Sequence, residues 1–422
     1  MKHLVYWAAV AAMVLGCVSC AKNADIPDDE TTDEEEEFLQ PSEDGKIQLS
    51  SKASEMVKLG NSFAVDFIDR VNAQTEGSYI ISPLSMQFLL GMILNGAQGT
   101  TADEICQVLG YGAGEVDDVN QFCLSMLKQL PVLDQSTKLS IANAVVVNQN
   151  YPLKDSYKET VGKFYEAEVS NMDFTDNDGT TKKINQWCSD HTNGLIPEVL
   201  KGVDPQAFAY LMNALYFKSS WSNKFNAQDT APGDFAKEDG EKTTVQMMKM
   251  NKKLTYSQTD VYSSVDLPYG NGAYVMTVFL PAQGKTLSDV TSYIAQVGLD
   301  KLKYSNTCTV DLMLPKFETD FDINLNDILI AMGMPSAFYP DRADLKGMSE
   351  RSDLGLFLSS VKQFAKITVD EEGSEAAAVS IGVTLTSSVP NSATFHADRP
   401  FLYLIRERST RTVLFAGRYS GE

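Results

Sequence analysis

Positions 366–380 read Lys-Ile-Thr-Val-Asp-Glu-Glu-Gly-Ser-Glu-Ala-Ala-Ala-Val-Ser, and the change of character inside this stretch decides the fold. Lys366–Val369 is β-branched and alternating, as a strand requires. After Asp370 come Glu371 and Glu372, then Gly373, where the backbone can bend. The side chains that follow are small: Ser374, Ala376, Ala377, Ala378, Val379 and Ser380, with Glu375 as the one charge among them. Composition alone fits a flexible Ala/Ser linker. It fits equally a further strand. Counted by twos, Ser374, Ala376, Ala378 and Ser380 would point to one face and could enter a core with little strain. Glu375, Ala377 and Val379 would point to the other, where the glutamate stays wet.

Upstream of this stretch, Met56–Val71 carries Val57, Phe63, Ala64, Phe67, Ile68 and Val71 at helical spacing, the pattern of an amphipathic helix. A short strand, Tyr79–Ile81, precedes Ser82-Pro83, which breaks it. Leu84–Leu94 is so continuously apolar that it reads as a helix buried on all sides. Thr100 and Thr101 ahead of Glu104 suit a capped helix through Leu109. Further strands are expected at Leu139–Val147, Phe208–Phe217, Ala273–Leu280, Thr309–Leu314 and Phe401–Arg406. Strands and helices do not alternate regularly, so the class is α+β rather than a barrel or doubly wound sheet.

The 422-residue chain is 43% hydrophobic, enough for one large core. Its formal net charge of -21 argues against nucleic acid or an anionic lipid surface as a partner. Residues 1–16 read as an export signal: Lys2 and His3 precede an apolar run from Leu4 to Gly16 that is short for a membrane span. Val14-Leu15-Gly16-Cys17 resembles a bacterial lipobox, with Cys17 the expected acylation site and Cys20 a second candidate. Residues 17–45 hold a run of acids with no basic residue between Asp25 and Asp44, so they are expected to form a solvated tether. The folded domain is expected over 46–422. Export to an outer-membrane lipoprotein, facing the periplasm or the cell surface, follows from this reading. Cys106, Cys123, Cys188 and Cys308 have neither C-x-x-C nor zinc spacing and are expected to be buried thiols.

An ordered set of segments then carries a resemblance: Ser78-Tyr79-Ile80-Ile81-Ser82-Pro83-Leu84-Ser85, Asn95-Gly96-Ala97-Gln98-Gly99-Thr100-Thr101, Ile184-Asn185-Gln186-Trp187, and Met212-Asn213-Ala214-Leu215-Tyr216-Phe217-Lys218 with Trp221 and Phe225. Leu267-Pro268-Tyr269, Leu314-Pro315-Lys316-Phe317, Glu371–Ala378 and Asp398-Arg399-Pro400-Phe401-Leu402 complete it. From about Met56 to Tyr419 the chain resembles the serpin family of protease inhibitors. The resemblance implies three β-sheets, about eight or nine helices, and a reactive-centre loop from Gly373 to about Thr394. It implies a hinge at Glu371 and Gly373–Ser380, a shutter at Ser82, Ser85, Asn213 and Gln363, and a breach at Trp187, although a structural tryptophan would leave the same trace there. Gln363 stands where the family usually has a histidine, so a proton-driven gate at that residue is not expected.

Counting forward from Gly373 by the family's usual loop puts the reactive bond at Ser387-Ser388. Counting back from Pro400-Phe401 puts it after Val389. Ala376–Thr394 holds no Lys or Arg, which disfavours trypsin-like targets and favours elastase-like or subtilisin-like serine proteases, with papain-like cysteine proteases as a further class. The implied inhibitor is a monomer needing no cofactor and no metal. Its alternative is a non-inhibitory binding module of the same fold. An enzyme is not expected: His191 and His396, the histidines outside the signal, lie in no hydrolase motif, and no G-x-S-x-G, P-loop or H-E-x-x-H occurs.

Overall fold

The computed structural model describes residues 40–302, 306–351, 355–374 and 392–422. Along the chain run α1 (Ser51–Gln74), β1 (Tyr79–Ile81), α2 (Pro83–Leu94), α3 (Gly99–Leu109), α4 (Val116–Gln129), β2 (Lys138–Asn148), α5 (Asp155–Tyr165), β3 (Glu168–Met172), α6 (Asn177–His191) and β4 (Ala209–Ser220). Then come β5 (Ala231–Ala236), β6 (Lys242–Gln258), β7 (Tyr262–Tyr269), β8 (Tyr274–Pro281), α7 (Leu287–Val297), β9 (Asn306–Pro315), β10 (Phe317–Asn324) and α8 (Asn326–Met332). The chain ends with β11 (Lys362–Val369), β12 (Gly373–Ser374), β13 (Ser392–His396), β14 (Phe401–Glu407) and β15 (Val413–Tyr419).

The strands form a six-stranded sheet, β10-β11-β12-β4-β2-β3, and a nine-stranded sheet, β1-β15-β14-β8-β7-β6-β9-β13 with β5 on β6. The resemblance implied three sheets. The second and third share the 17-residue β6, whose early and middle residues pair with β5 and β9 and whose last residues pair with β7, so hydrogen bonding makes them one.

The α2 helix is buried along its whole length, as its apolar run requires, and packs against β4 of one sheet and β15 of the other. Ser82 caps it by accepting a hydrogen bond from the Ser85 N–H at 3.1 Å, and Pro83 occupies the first turn, where no N–H is needed. At α3 the expected threonine cap is replaced. The helix starts at Gly99, Thr101 Oγ1 accepts from the Asp344 N–H, and Glu104 accepts from the Ser336 N–H and hydroxyl. Those side chains tie distant loops together instead of closing their own helix.

Candidate functional site

The site is the seam of the six-stranded sheet. Trp221 and Phe225, just past the end of β4, donate their backbone N–H groups to the carbonyls of Glu372 and Glu371 at 2.9 and 3.0 Å. The Trp221 indole N–H donates to the Asp370 carbonyl at 2.9 Å, and its ring stacks on Tyr269 with centroids 4.4 Å apart. Asp370 Oδ1 accepts from the Glu372 and Gly373 N–H groups, turning the chain back on itself. Gly373 and Ser374 then lie between two strands: Ser374 is paired with Val369 of β11 and Ser219 of β4, and Gly373 with Ser220. The Ser374 side chain is buried and its hydroxyl shares a 2.7 Å hydrogen bond with the Tyr269 hydroxyl. Small size matters here. A Cβ on Gly373 would run into the Ser219 carbonyl and the Ser220 Cα.

Two ion pairs flank the turn. Lys316 Nζ lies 2.8 Å from Glu371, and Lys224 Nζ lies 2.5 Å from Glu372. The hydrogen bond to Glu371 raises the Lys316 pKa, while burial works the other way. Burial alone would raise Glu371, but the hydrogen bonds it accepts from Lys316 and Thr230 hold its carboxyl below the ordinary value.

Below Ser374, no ladder joins β4 to β11 among the described residues; each keeps only its outer partner, β2 or β10. A cavity of about 300 Å³ lies along this seam, lined by Met212 to Leu215 on β4, Gln363 and Phe364 on β11, and Ser82, Ser85 and Met86 on α2. The N-terminus of α2 bonds to both sides of it. The Ser82 N–H donates to Gln363 Oε1 at 2.9 Å while Gln363 Nε2 donates to the Ser82 carbonyl at 2.8 Å, and the Ser82 hydroxyl donates to the Leu414 carbonyl. The Ser85 hydroxyl donates to Asn213 Oδ1. Asn213 Nδ2 donates to Asn143 Oδ1 at 2.7 Å, and Asn143 Nδ2 to the Tyr165 carbonyl at 2.7 Å. The four expected shutter residues therefore fall into two pairs, one holding β11 and one holding β4.

Asn143 was missed from sequence, and a signal existed: it is the lone amide in the apolar run Ile141–Val147, and its cross-strand partner is Asn213. The breach tryptophan needs correcting. Trp187 lies on α6 and donates its indole N–H to Glu168 at the start of β3, three strands from β12. The indole at the hinge belongs to Trp221, because it directly follows the strand on which Gly373 is paired.

The His191 ring lies tilted against Trp187, centroids 4.3 Å apart, and 3.2 Å from Glu168, while His396 lies 3.1 Å from Asp311. Each faces a carboxylate, and His191 Nδ1 also lies 2.9 Å from the Trp187 carbonyl oxygen. Cys106, Cys123, Cys188 and Cys308 are free and buried, and burial pushes the Cys123 and Cys188 thiols up to about 12. The residues expected at the lipid anchor (Cys17, Cys20), the remainder of the hinge (Glu375–Ser380) and the reactive bond (Ser387, Ser388, Val389) lie outside the described residues.

Among the described residues, the sheet holds Gly373 and Ser374 between two strands that share no other ladder. The chain belongs to the serpin family: its residues 58–421 match the family model for serpins, serine protease inhibitors. It is similar to a leukocyte elastase inhibitor from Xenopus laevis, with 33% identity over 373 residues covering 85% of this chain and 97% of that protein. Among solved structures it is similar to the thermophilic serpin tengpin in its native state, with TM-score 0.79 and 26% identity over 90% of this chain and 96% of that one. It is also similar to thyroxine-binding globulin in complex with thyroxine, with TM-score 0.76 and 26% identity over 86% and 98% of the two chains.

Proposed function

We propose that this protein is a suicide-substrate inhibitor that traps a serine protease as a covalent acyl-enzyme by inserting its cleaved loop between β4 and β11. The observation that carries the reading is the placement of Gly373 and Ser374: they begin a strand between β4 and β11, and beyond them those two strands share no ladder among the described residues. In the proposed reaction, the protease serine hydroxyl attacks the carbonyl carbon of Ser387, or of Val389 in the alternative register. The peptide C–N bond breaks, the new amino terminus leaves with the transferred proton, and the acyl-enzyme ester remains. The freed segment then extends β12 downward. About a dozen residues at ~1 kcal/mol net per hydrogen bond supply on the order of ten kcal/mol before packing is counted. That is enough to pull the tethered protease's oxyanion hole out of register and stall deacylation.

Target choice rests on the loop's composition. With no Lys or Arg from Ala376 to Thr394, elastase-like and subtilisin-like serine proteases are the proposed targets, and Leu385 could fill a neighbouring subsite of a papain-like cysteine protease. Cys17, or Cys20, is the proposed lipid anchor holding the domain at the outer membrane on its acidic tether.

The test mixes the chain from Lys46 onward with pancreatic-type elastase and with subtilisin, followed by denaturing gels and mass spectrometry of the released C-terminal peptide. A denaturant-resistant complex is the expected result, and the peptide mass locates the bond. Cleavage with neither a complex nor a gain in thermal stability would replace this reading with that of a non-inhibitory binding module.

A further inference from the structure

The cavity between β4 and β11 is not confined to the polar seam. Asn213 faces α2, where it accepts from Ser85, whereas its neighbour Met212 packs with Ile184 of α6 in a second apolar cluster. Consecutive residues of a strand face opposite sides of a sheet, so α2 and α6 cover opposite faces of this one. The cavity touches both helices, through Ser82, Ser85 and Met86 on one side and Ile184 and Cys188 on the other. It therefore passes through the sheet at the gap where β4 and β11 share no ladder among the described residues.

Its two ends differ in chemistry. The α6 end is lined by Ile184, Cys188, Ile196, Val199 and Leu200, and the charged lining residues, Asp204 and Lys362, are exposed and mark the rim. The α2 end presents amides. Gln363 and Asn213 each carry two amide N–H donors, and their bonds to the Ser82 carbonyl and Asn143 use one on each. An acceptor atom at that end meets two donors, while a carboxylate there would be buried away from Lys362. At about 300 Å³ the space is twice the roughly 150 Å³ that admits benzene, so it has room for a ring and a short chain.

We propose that this cavity binds an uncharged apolar molecule, one ring and a short chain bearing a single carbonyl acceptor, with the carbonyl at Gln363 and Asn213 and the ring under α6. The cavity's walls are the strands between which the cleaved loop inserts, so ligand and loop exclude each other. A bound ligand diverts the inhibitor toward being cleaved without trapping. That regulatory consequence rests on the inhibitory reading above; the site itself does not.

The probes are benzylacetone, butylbenzene, which lacks the acceptor, and phenylbutanoate, which carries a charge. Affinities are measured by titration calorimetry. Cys188 is the reporter in the unaltered chain, since it lines the cavity and Cys106, Cys123 and Cys308 do not. Its modification by methyl methanethiosulfonate is followed by mass spectrometry. At about ten times its dissociation constant, benzylacetone is expected to slow reaction at Cys188 about tenfold. The other two probes should bind at least about tenfold more weakly. Cys188→Leu, which fills the α6 end, should lose benzylacetone binding while melting no lower than the parent chain. With subtilisin, the ratio of cleaved to trapped inhibitor should rise several-fold in benzylacetone. A Cys188 rate that benzylacetone leaves unchanged, or binding retained at parental strength in Cys188→Leu, overturns the site. Equal affinity for the three probes overturns the role of the amides. Protection of Cys188 with an unaltered trapping ratio overturns the exclusion of the loop. If the chain without ligand forms no complex with subtilisin or elastase, the inhibitory reading fails, and the Cys188 rates still decide the site.

Discussion

The two ends of the reactive loop are anchored in different ways. On the entry side, Gly373 and Ser374 sit inside a sheet, antiparallel to both neighbours, and both are buried. On the exit side, Ser392–His396 is an edge strand, parallel to its one neighbour β9, with Ser392 and Thr394 exposed. A parallel pair is slightly weaker per residue than an antiparallel one, and an edge strand satisfies only one row of its backbone groups. In the proposed reaction, the entry side is the end that propagates into the sheet and the exit side is the end that holds the loop until it is cut.

The sharpest way to break this contrast is to prevent propagation. Ala378→Arg would force a charge toward the core during insertion, at a cost of several kcal/mol. Inhibition should give way to substrate behaviour, with at least tenfold more inhibitor cleaved per enzyme trapped. Unchanged trapping, measured by titrating active protease, would rule out insertion in the expected register.

Gly373→Val attacks the anchor itself. Its side chain would meet the Ser219 carbonyl, so the two residues of β12 should leave the sheet, lowering stability by about 1–3 kcal/mol. Trp221 reports the event, because its backbone N–H and indole N–H are bonded to Glu372 and Asp370. A Trp221 emission spectrum and a melting temperature both unaltered would mean that β12 does not hold the loop.

Further down the seam, Asn213→Ala leaves Asn143 Oδ1 without its donor and Ser85 without its acceptor. A loss of about 1–3 kcal/mol is expected by denaturant unfolding. Asn143→Ala should show the same order of effect and combine non-additively with it; simple additivity would separate the two amides energetically.

Acid should loosen the entry anchor. Glu371 has a lowered pKa in the folded state, so its contribution is present above its unfolded value and is lost as pH falls through the folded one. Lys316 is raised, so its share is complete below its unfolded value and is lost as pH rises through the folded one. The pair should support the hinge across neutral pH and fail first in acid. Native-state stability from pH 6 to 3 should fall less steeply in Lys316→Met than in the parent chain, and parallel curves would refute the assignment.

The smallest effect should come from the exit strand. His396→Ala removes an exposed pair with Asp311 and is expected to change stability by about 0–1 kcal/mol. A larger loss in a thermal melt would show that β13 is held more firmly than its edge position suggests.

Much of this was legible in the chain because the signals are local. The buried helix follows from an unbroken apolar run, and the α+β class from irregular alternation. Ser82, Ser85, Asn213 and Gln363 could be named one by one. Their division into a β11 pair and a β4 pair could not, since Ser82 and Gln363 are 281 positions apart and meet only when α2 crosses the sheet. The same reason explains the tryptophan. Trp187 follows Ile184-Asn185-Gln186 and Trp221 follows Lys218-Ser219-Ser220, and only the strand order puts one beside β3 and the other beside β12. Sequence by itself determined the elements and the chemistry each could offer, because periodicity, size and charge are carried by neighbours along the chain. Tertiary structure alone decided which polar groups share a seam and where the loop enters the sheet, because those depend on pairing between strands far apart in sequence.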